Sequence, residues 1–216
     1  MHKHEGHANL WLAHNPVINH RLSQIRDVSA DKRLFRDSVR HIAQMMCYGV
    51  TANLQQTTRK IVTPVQQCDA PFLAHDFPVI VPILRAGLAM ADGLEELLPE
   101  STVAHVGMYR GHETLEAVEY RNKLPDLTNR DVILVDPMLA TGNSAQLALD
   151  MIKKKGADMS RVSFLVLLAA PEGVTHIYKT YPDVKIFSGA LDERLNENAY
   201  IVPGLGDAGD RSFGTE

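Results

Sequence analysis

The sequence predicts an α/β protein: a central, mostly parallel sheet flanked by helices, behind a helical N-terminal region. Three observations carry that prediction. Val79–Leu84, Val132–Val135 and Val162–Leu168 are short, uninterrupted apolar runs, the pattern of strands buried on both faces. The stretches between them repeat apolar residues at steps of three and four, so strands alternate with helices as in βαβ units. Finally, 216 residues with 45% hydrophobic and 22% charged content supply a sizeable core and exclude global disorder.

The first 14 residues hold His2, His4, His7 and His14 among small polar neighbours. No periodic apolar residues surround them, so they read as a flexible tail on a single domain spanning 1–216. From Asp31 to about Leu54, Phe35, Val39, Ile42, Met46 and Val50 form one stripe, with Arg36, Arg40 and Gln44 opposite: a long amphipathic helix. After Pro78 comes the first buried strand, then a helix with Leu88, Ala91, Leu94 and Leu98 on one side. Thr102–Tyr109 reads as a second strand and Val132–Val135 as a third, followed by a helix from Ser144 to Lys155. The strand from Val162, a helix carrying Val174, Ile177 and Tyr178, and a strand over Val184–Ser188 complete the series. No repeat, low-complexity tract or Pro/Gly/Ser-rich linker divides the chain.

The formal charge of −4, without a basic stripe, argues against a nucleic-acid partner, because phosphate neutralisation supplies most non-specific affinity. Cys47 and Cys68 stand far apart with no CxxC, so they offer neither a zinc knuckle nor a disulfide framework. The longest apolar run, Val162 to Pro171, is far below the about 20 residues of a membrane span. The start, MHKHEGHANLW, lacks the apolar segment of a secretory signal. A cytoplasmic protein with a small-molecule partner is the expectation.

The most informative stretch runs from Val132 to Ser144. A buried strand delivers Asp136 to its carboxyl end, where open α/β sheets bind ligands. Thr141-Gly142-Asn143-Ser144 then opens a helix. Gly142 permits a tight turn, the hydroxyls of Thr141 and Ser144 can donate, and the helix start offers free N–H groups. Those parts suit a phosphate monoester, with Asp136 placed to accept from sugar hydroxyls. The Walker A and G-x-G-x-x-G patterns are both absent, so ATPase and dinucleotide readings lose ground. Two further segments have features that suit a ligand. Arg85-Ala86-Gly87 follows the first strand and opens a helix, where the Arg85 fork matches phosphate oxygens. Near the carboxyl end, Pro203 and the glycines 204, 206 and 209 impose an irregular turn that exposes backbone donors and acceptors.

These residues resemble the uracil phosphoribosyltransferase family, of the type I phosphoribosyltransferase fold. Asp136 to Ser144 reads DPMLATGNS against the family's DPMLATGGS, so Asn143 stands where glycine is usual; Asn tolerates left-handed backbone better than other residues. The resemblance implies transfer of ribose 5-phosphate from 5-phosphoribosyl 1-diphosphate to uracil, giving UMP and diphosphate in pyrimidine salvage. By it, Asp136, Pro137, Met138, Leu139, Ala140, Thr141, Gly142, Asn143 and Ser144 hold the ribose 5-phosphate. Arg85 and Arg110 hold the diphosphate, with Asp136 and Arg85 carrying the catalysis. Ile201, Gly206 and Ala208 contact uracil through the main chain, and Asp207 faces the sugar diphosphate or its Mg²⁺. Gly111 and His112, in the segment expected to cover the site, depart from the family's acidic residues. The resemblance also implies a homo-oligomer, dimer or tetramer, and admits GTP as an effector, for which no segment marks a site. Three other readings stay open on the sequence: a transferase for another base such as hypoxanthine, an RNA-binding regulator on the same fold, and a non-catalytic ligand sensor.

Overall fold

The computed structural model describes residues 1–110 and 117–215. In chain order its elements are β1 (His2–Lys3), β2 (Leu10–Leu12), α1 (Pro16–Arg26), α2 (Lys32–Thr51), β3 (Gln56–Val62), β4 (Gln67–Leu73) and β5 (Val79–Leu84). There follow α3 (Leu88–Glu95), β6 (Val106–Arg110), β7 (Ala117–Asn122), β8 (Val132–Val135), β9 (Met138–Leu139) and α4 (Asn143–Lys154). The last are β10 (Val162–Ala169), α5 (Pro171–Thr180), β11 (Lys185–Leu191), β12 (Arg194–Leu195), β13 (Ile201–Val202) and α6 (Ala208–Phe213).

One sheet organises the molecule, in the order β1-β2-β11-β10-β8-β5-β6-β7. From β2 to β6 every neighbouring pair is parallel, and only the two outermost pairs, β1–β2 and β6–β7, are antiparallel. Period-two alternation then sorts the central strands onto two layers. Val79, Val81, Leu134, Phe164 and Val166 face α4 and α5, packing with Leu149, Ile152, Val174 and Ile177. Ile80, Ile133, Val135, Leu165 and Leu167 face the helical N-terminal region, packing with Ile25, Phe35, Ile42, Met46 and Leu94. Phe35, Phe164 and Phe187 are fully buried, and truncating any one of them to alanine costs about 3–5 kcal/mol.

Two features depart from the sequence reading. Leu10–Leu12, expected within a tail, pairs in parallel with Ile186–Ser188, Leu10 is fully buried, and Trp11 stacks on Phe187. Three residues are too few to register a period, which is why the composition around them dominated. Residues 56–73, for which no element was expected, form a separate antiparallel hairpin of β3 and β4. Most of its side chains are exposed on both faces, so the alternation that betrays a half-buried strand is missing.

Candidate active site

The phosphate loop is built by interrupting a strand. β8 ends at Val135, and Pro137, having no N–H, cannot continue a ladder. Its carbonyl instead accepts from Leu167 N at 3.0 Å and Leu168 N at 3.1 Å. Pairing with β10 resumes at Met138 and Leu139. Asp136 thus stands at the break, at the carboxyl end of a central strand. The chain then turns at Gly142, whose φ is +88°, and α4 begins at Asn143 without a side-chain cap from residue 142. Thr141 Oγ1 accepts weakly from Asn143 N, at 3.5 Å. The opening N–H groups of α4 have no intrahelical partners and suit an anion. Asn143 is exposed and is the first helical residue, with no positive φ. The left-handed position falls on Gly142, so asparagine in place of glycine at 143 needs no left-handed backbone.

The Arg85–Gly87 segment abuts this loop. A Cβ on Gly87 would lie 2.6 Å from the carbonyl oxygen of Val135, so only glycine lets α3 start against the end of β8. The peptide between Leu84 and Arg85 is cis. Arg85 is exposed, its guanidinium carbon 5.2 Å from the centroid of the Phe213 ring, with Arg36 on the same ring at 5.6 Å.

The carboxyl segment forms a hook. β13 pairs with β12, the peptide from Val202 to Pro203 is cis, and Gly204 and Gly206 take positive φ. The irregular turn is shorter than expected, because Asp207 starts a helix. Its Oδ1 accepts from Gly209 N at 2.7 Å and Asp210 N at 3.0 Å, satisfying donors that α6 cannot pair internally.

These segments meet. One cleft is lined by Ala86, Asp136 and residues 138–145, 198–201 and 206–209. Of the residues singled out in the sequence, Asp136, Met138 through Ser144, Ile201, Gly206, Asp207 and Ala208 all line it. Pro137 does not: it is buried beneath the loop, where its carbonyl shapes the turn. Arg85 does not line the cleft either; its neighbour Ala86 does, while its own side chain rests on Phe213. The side chain of Arg110, together with Gly111 and His112, lies outside the described residues. The sequence reading missed Asn198 and Ala199, which with Tyr200 form a wall of the cleft. There Ala199 adopts φ +61°, and Asn196 Oδ1 accepts from Asn198 N at 3.0 Å and Tyr200 N at 2.9 Å. The pair Asn196 and Asn198 was the available signal, since asparagine favours such turns.

The comparisons with known proteins bear directly on this cleft. Residues 12–215 match the protein family described as Uracil phosphoribosyltransferase. The chain belongs to that family. A uracil phosphoribosyltransferase of Paraburkholderia phymatum is 50% identical over 208 residues, 96% of each chain. One of Burkholderia pseudomallei is 48% identical over the same share of both. Among solved structures, the AQ2163 protein of Aquifex aeolicus superposes with a TM-score of 0.89 at 33% identity, covering 96% of this chain and 99% of that one. The match spans the phosphate loop, the hook and the helical N-terminal region alike, so family membership covers every segment that builds the cleft.

Proposed function

We propose that the cleft carries out the reaction for which the family is named: N1 of uracil displaces diphosphate from C1 of 5-phosphoribosyl 1-diphosphate, its N1 proton passing to the departing diphosphate or to water, giving UMP. As a family member the protein is a pentosyltransferase. The observation that carries the reading is the single cleft shared by a phosphate-type helix start, a carboxylate at a strand end and a backbone hook. The N–H groups opening α4, with the Thr141 and Ser144 hydroxyls, hold the 5-phosphate. Asp136 accepts from the ribose hydroxyls. Uracil presents an acceptor, a donor and an acceptor along one edge, which main-chain groups between Ile201 and Ala208 can meet without mobile side chains. Arg85 leaves Phe213 and receives the departing diphosphate, where negative charge accumulates. Arg110 is assigned the same task by family resemblance. The sugar carbon passes through a state of oxocarbenium character, so the residues contribute mainly positioning and electrostatics.

Mg²⁺ fits this donor set. Among the described residues there is no cluster of three or more His, Cys, Asp or Glu side chains, while Asp136 and Asp207 line the same cleft. Magnesium favours one or two carboxylates plus substrate phosphates and water. Asp207, one of whose oxygens caps α6, would contribute the other, and the ion would neutralise the diphosphate. The reading extends to a cytoplasmic enzyme of pyrimidine salvage. No helix among the described residues is long and apolar enough to cross a membrane. It extends also to a homo-oligomer, dimer or tetramer, for which the separate hairpin with exposed Val62 and Val65 is the supporting feature. GTP as an effector rests on resemblance alone and is tested by titrating it into the assay.

The deciding experiment follows diphosphate release from 5-phosphoribosyl 1-diphosphate and Mg²⁺ with uracil, with cytosine and with neither. Release coupled to UMP formation with uracil alone is expected. Equal rates with cytosine would overturn the assignment of the hook, and no release under any condition would favour a ligand sensor.

A further inference from the structure

We propose that Arg26, Asp192 and Arg211 are positioning residues that clamp the hook in its base-selecting conformation, though none of them lines the cleft. The inference rests on the reading of the hook as the uracil site.

Asp192 follows β11, and its side chain is only 4% exposed. A carboxylate so buried is costly unless charge and hydrogen bonds surround it. Arg26, the last residue of α1, supplies both: Nη2 donates to Oδ1 at 2.6 Å and Nη1 to Oδ2 at 2.8 Å. The pair does more than neutralise itself. Gly204 N donates to Asp192 Oδ2 at 2.9 Å, and Arg26 Nη1 donates to Gly204 O at 2.8 Å. Both polar groups of one hook residue are therefore held by side chains from two distant elements. Arg211 holds the next residue, donating from Nη1 to Leu205 O at 2.8 Å. It ties that residue to the end of α1 through Ile25 O and, at 2.6 Å, Asp27 O. Its guanidinium carbon lies 4.7 Å from the Phe35 ring centroid, against the core face of α2.

The placement of these anchors is informative. Ile201 and residues 206–209 line the cleft, and the segment between them is the part the clamp grips. Gly204 and Leu205 thus set the origin from which Gly206, Asp207 and Ala208 are aimed at the base. A buried ion pair is weak evidence for stability, since apolar residues of the same volume often serve as well. What apolar residues cannot do is fix the two peptide planes that flank one residue, the first by its N–H and the second by its C=O. The phosphate loop, built from β8, β9 and α4, makes none of these contacts, so loosening the clamp degrades base recognition and spares the sugar phosphate.

The test compares Asp192→Asn, Arg26→Gln, Arg26→Lys and Arg211→Gln with the wild type, each checked for a cooperative thermal transition. Asp192→Asn and Arg26→Gln are expected to raise the KM for uracil about tenfold, as the loss of a charged hydrogen bond to a buried group does. The KM for 5-phosphoribosyl 1-diphosphate should stay within about twofold on the same reasoning, the ratio of kcat/KM for uracil over cytosine should fall, and Arg26→Lys should recover part of the loss. If Asp192→Asn does not fold, Arg26→Lys and Arg211→Gln carry the same comparison. Equal increases in both KM values would show a merely structural role and overturn the clamp. Gly206→Ala separates the two layers of the argument: its φ of +82° strains an added side chain, although the nearest atom would be Arg211 Cδ at 3.7 Å. If it raises the uracil KM and the clamp variants do not, the clamp falls. If neither it nor they affect uracil, the hook is not the base site.

Discussion

Gly142→Ala tests whether the start of α4 holds the sugar phosphate. At φ +88°, a Cβ on residue 142 would lie 3.0 Å from His176 Cδ2 and 3.3 Å from the Gly173 carbonyl oxygen. The left-handed backbone alone costs an alanine about 1–2 kcal/mol, and both contacts oblige the turn to shift. Gly156 supplies the control. It stands just beyond the other end of the same helix at φ +89°, where a Cβ would lie 2.6 Å from Thr128 Oγ1. Both alanine variants should therefore lose stability to a similar degree, roughly 2–4 °C in Tm for each kcal/mol in a chain of this size. Only residue 142 lines the cleft. A shift of its N–H groups weakens their hold on the phosphate, so Gly142→Ala should raise the KM for 5-phosphoribosyl 1-diphosphate by about tenfold or more. The uracil KM should change little, and Gly156→Ala should alter neither. Initial rates at varied concentrations of each substrate, alongside thermal melts, decide the matter. Matching kinetics in the two variants, at matching losses of Tm, would refute the assignment of the α4 start.

Asp136→Asn should lower kcat/KM by about 10–100-fold, the worth of one charge-assisted hydrogen bond, with the fold and its cooperative melting transition retained; near-normal turnover would remove Asp136 from the ribose. Arg85→Ala should weaken diphosphate binding far more than uracil binding by calorimetric titration, and undiminished diphosphate affinity would leave Arg85 on Phe213 as a packing residue only. Burial raises the Cys47 thiol to about 11, whereas Cys68 is partly exposed on the hairpin. A thiol reagent at pH 8 should therefore label Cys68 promptly and Cys47 only on unfolding. Because the folded pKa of Cys47 lies above that of an unfolded thiol, its contribution to stability is intact below the unfolded value. That contribution is lost as pH rises through about 11, which urea melts across the alkaline range would reveal.

The central strands were legible because β5, β8 and β10 are buried on both faces and therefore read as unbroken apolar runs. The α2 helix was legible because its buried stripe, Phe35 through Val50, repeats cleanly along most of a helix of 20 residues. The α1 helix carried a readable signature that went unused: Asn15 caps it, Pro16 starts it, and Ile18, Leu22 and Ile25 are its buried residues. Arg26 and Asp192, by contrast, stand 166 residues apart, and no local pattern announces that they will share three oxygens and a peptide N–H. Arg85 illustrates a further limit. It lies in the turn between β5 and α3, where a helix start was expected, yet its side chain rests on Phe213, more than a hundred residues away.

The composition of the cleft explains this division. Its walls include five alanines and three glycines, and the turns in and beside it have conformations fixed elsewhere: Gly142 by the approach of α5, Ala199 by Asn196, and Gly204 by Arg26 and Asp192. A hook that meets its ligand through peptide groups, as proposed for residues 201–208, has few side chains of its own to mark it in a sequence. It is specified instead by the residues that route the backbone, and those lie outside the cleft. The same logic bears on selectivity. Exchanging a side chain on the wall adjusts fit, whereas exchanging one base edge for another reverses donors and acceptors and requires the peptide planes themselves to turn. On the proposed reading, the choice of base is controlled by the clamp beneath the hook and the hold on the sugar phosphate by the break in β8 and the turn at Gly142, two separate pieces of backbone.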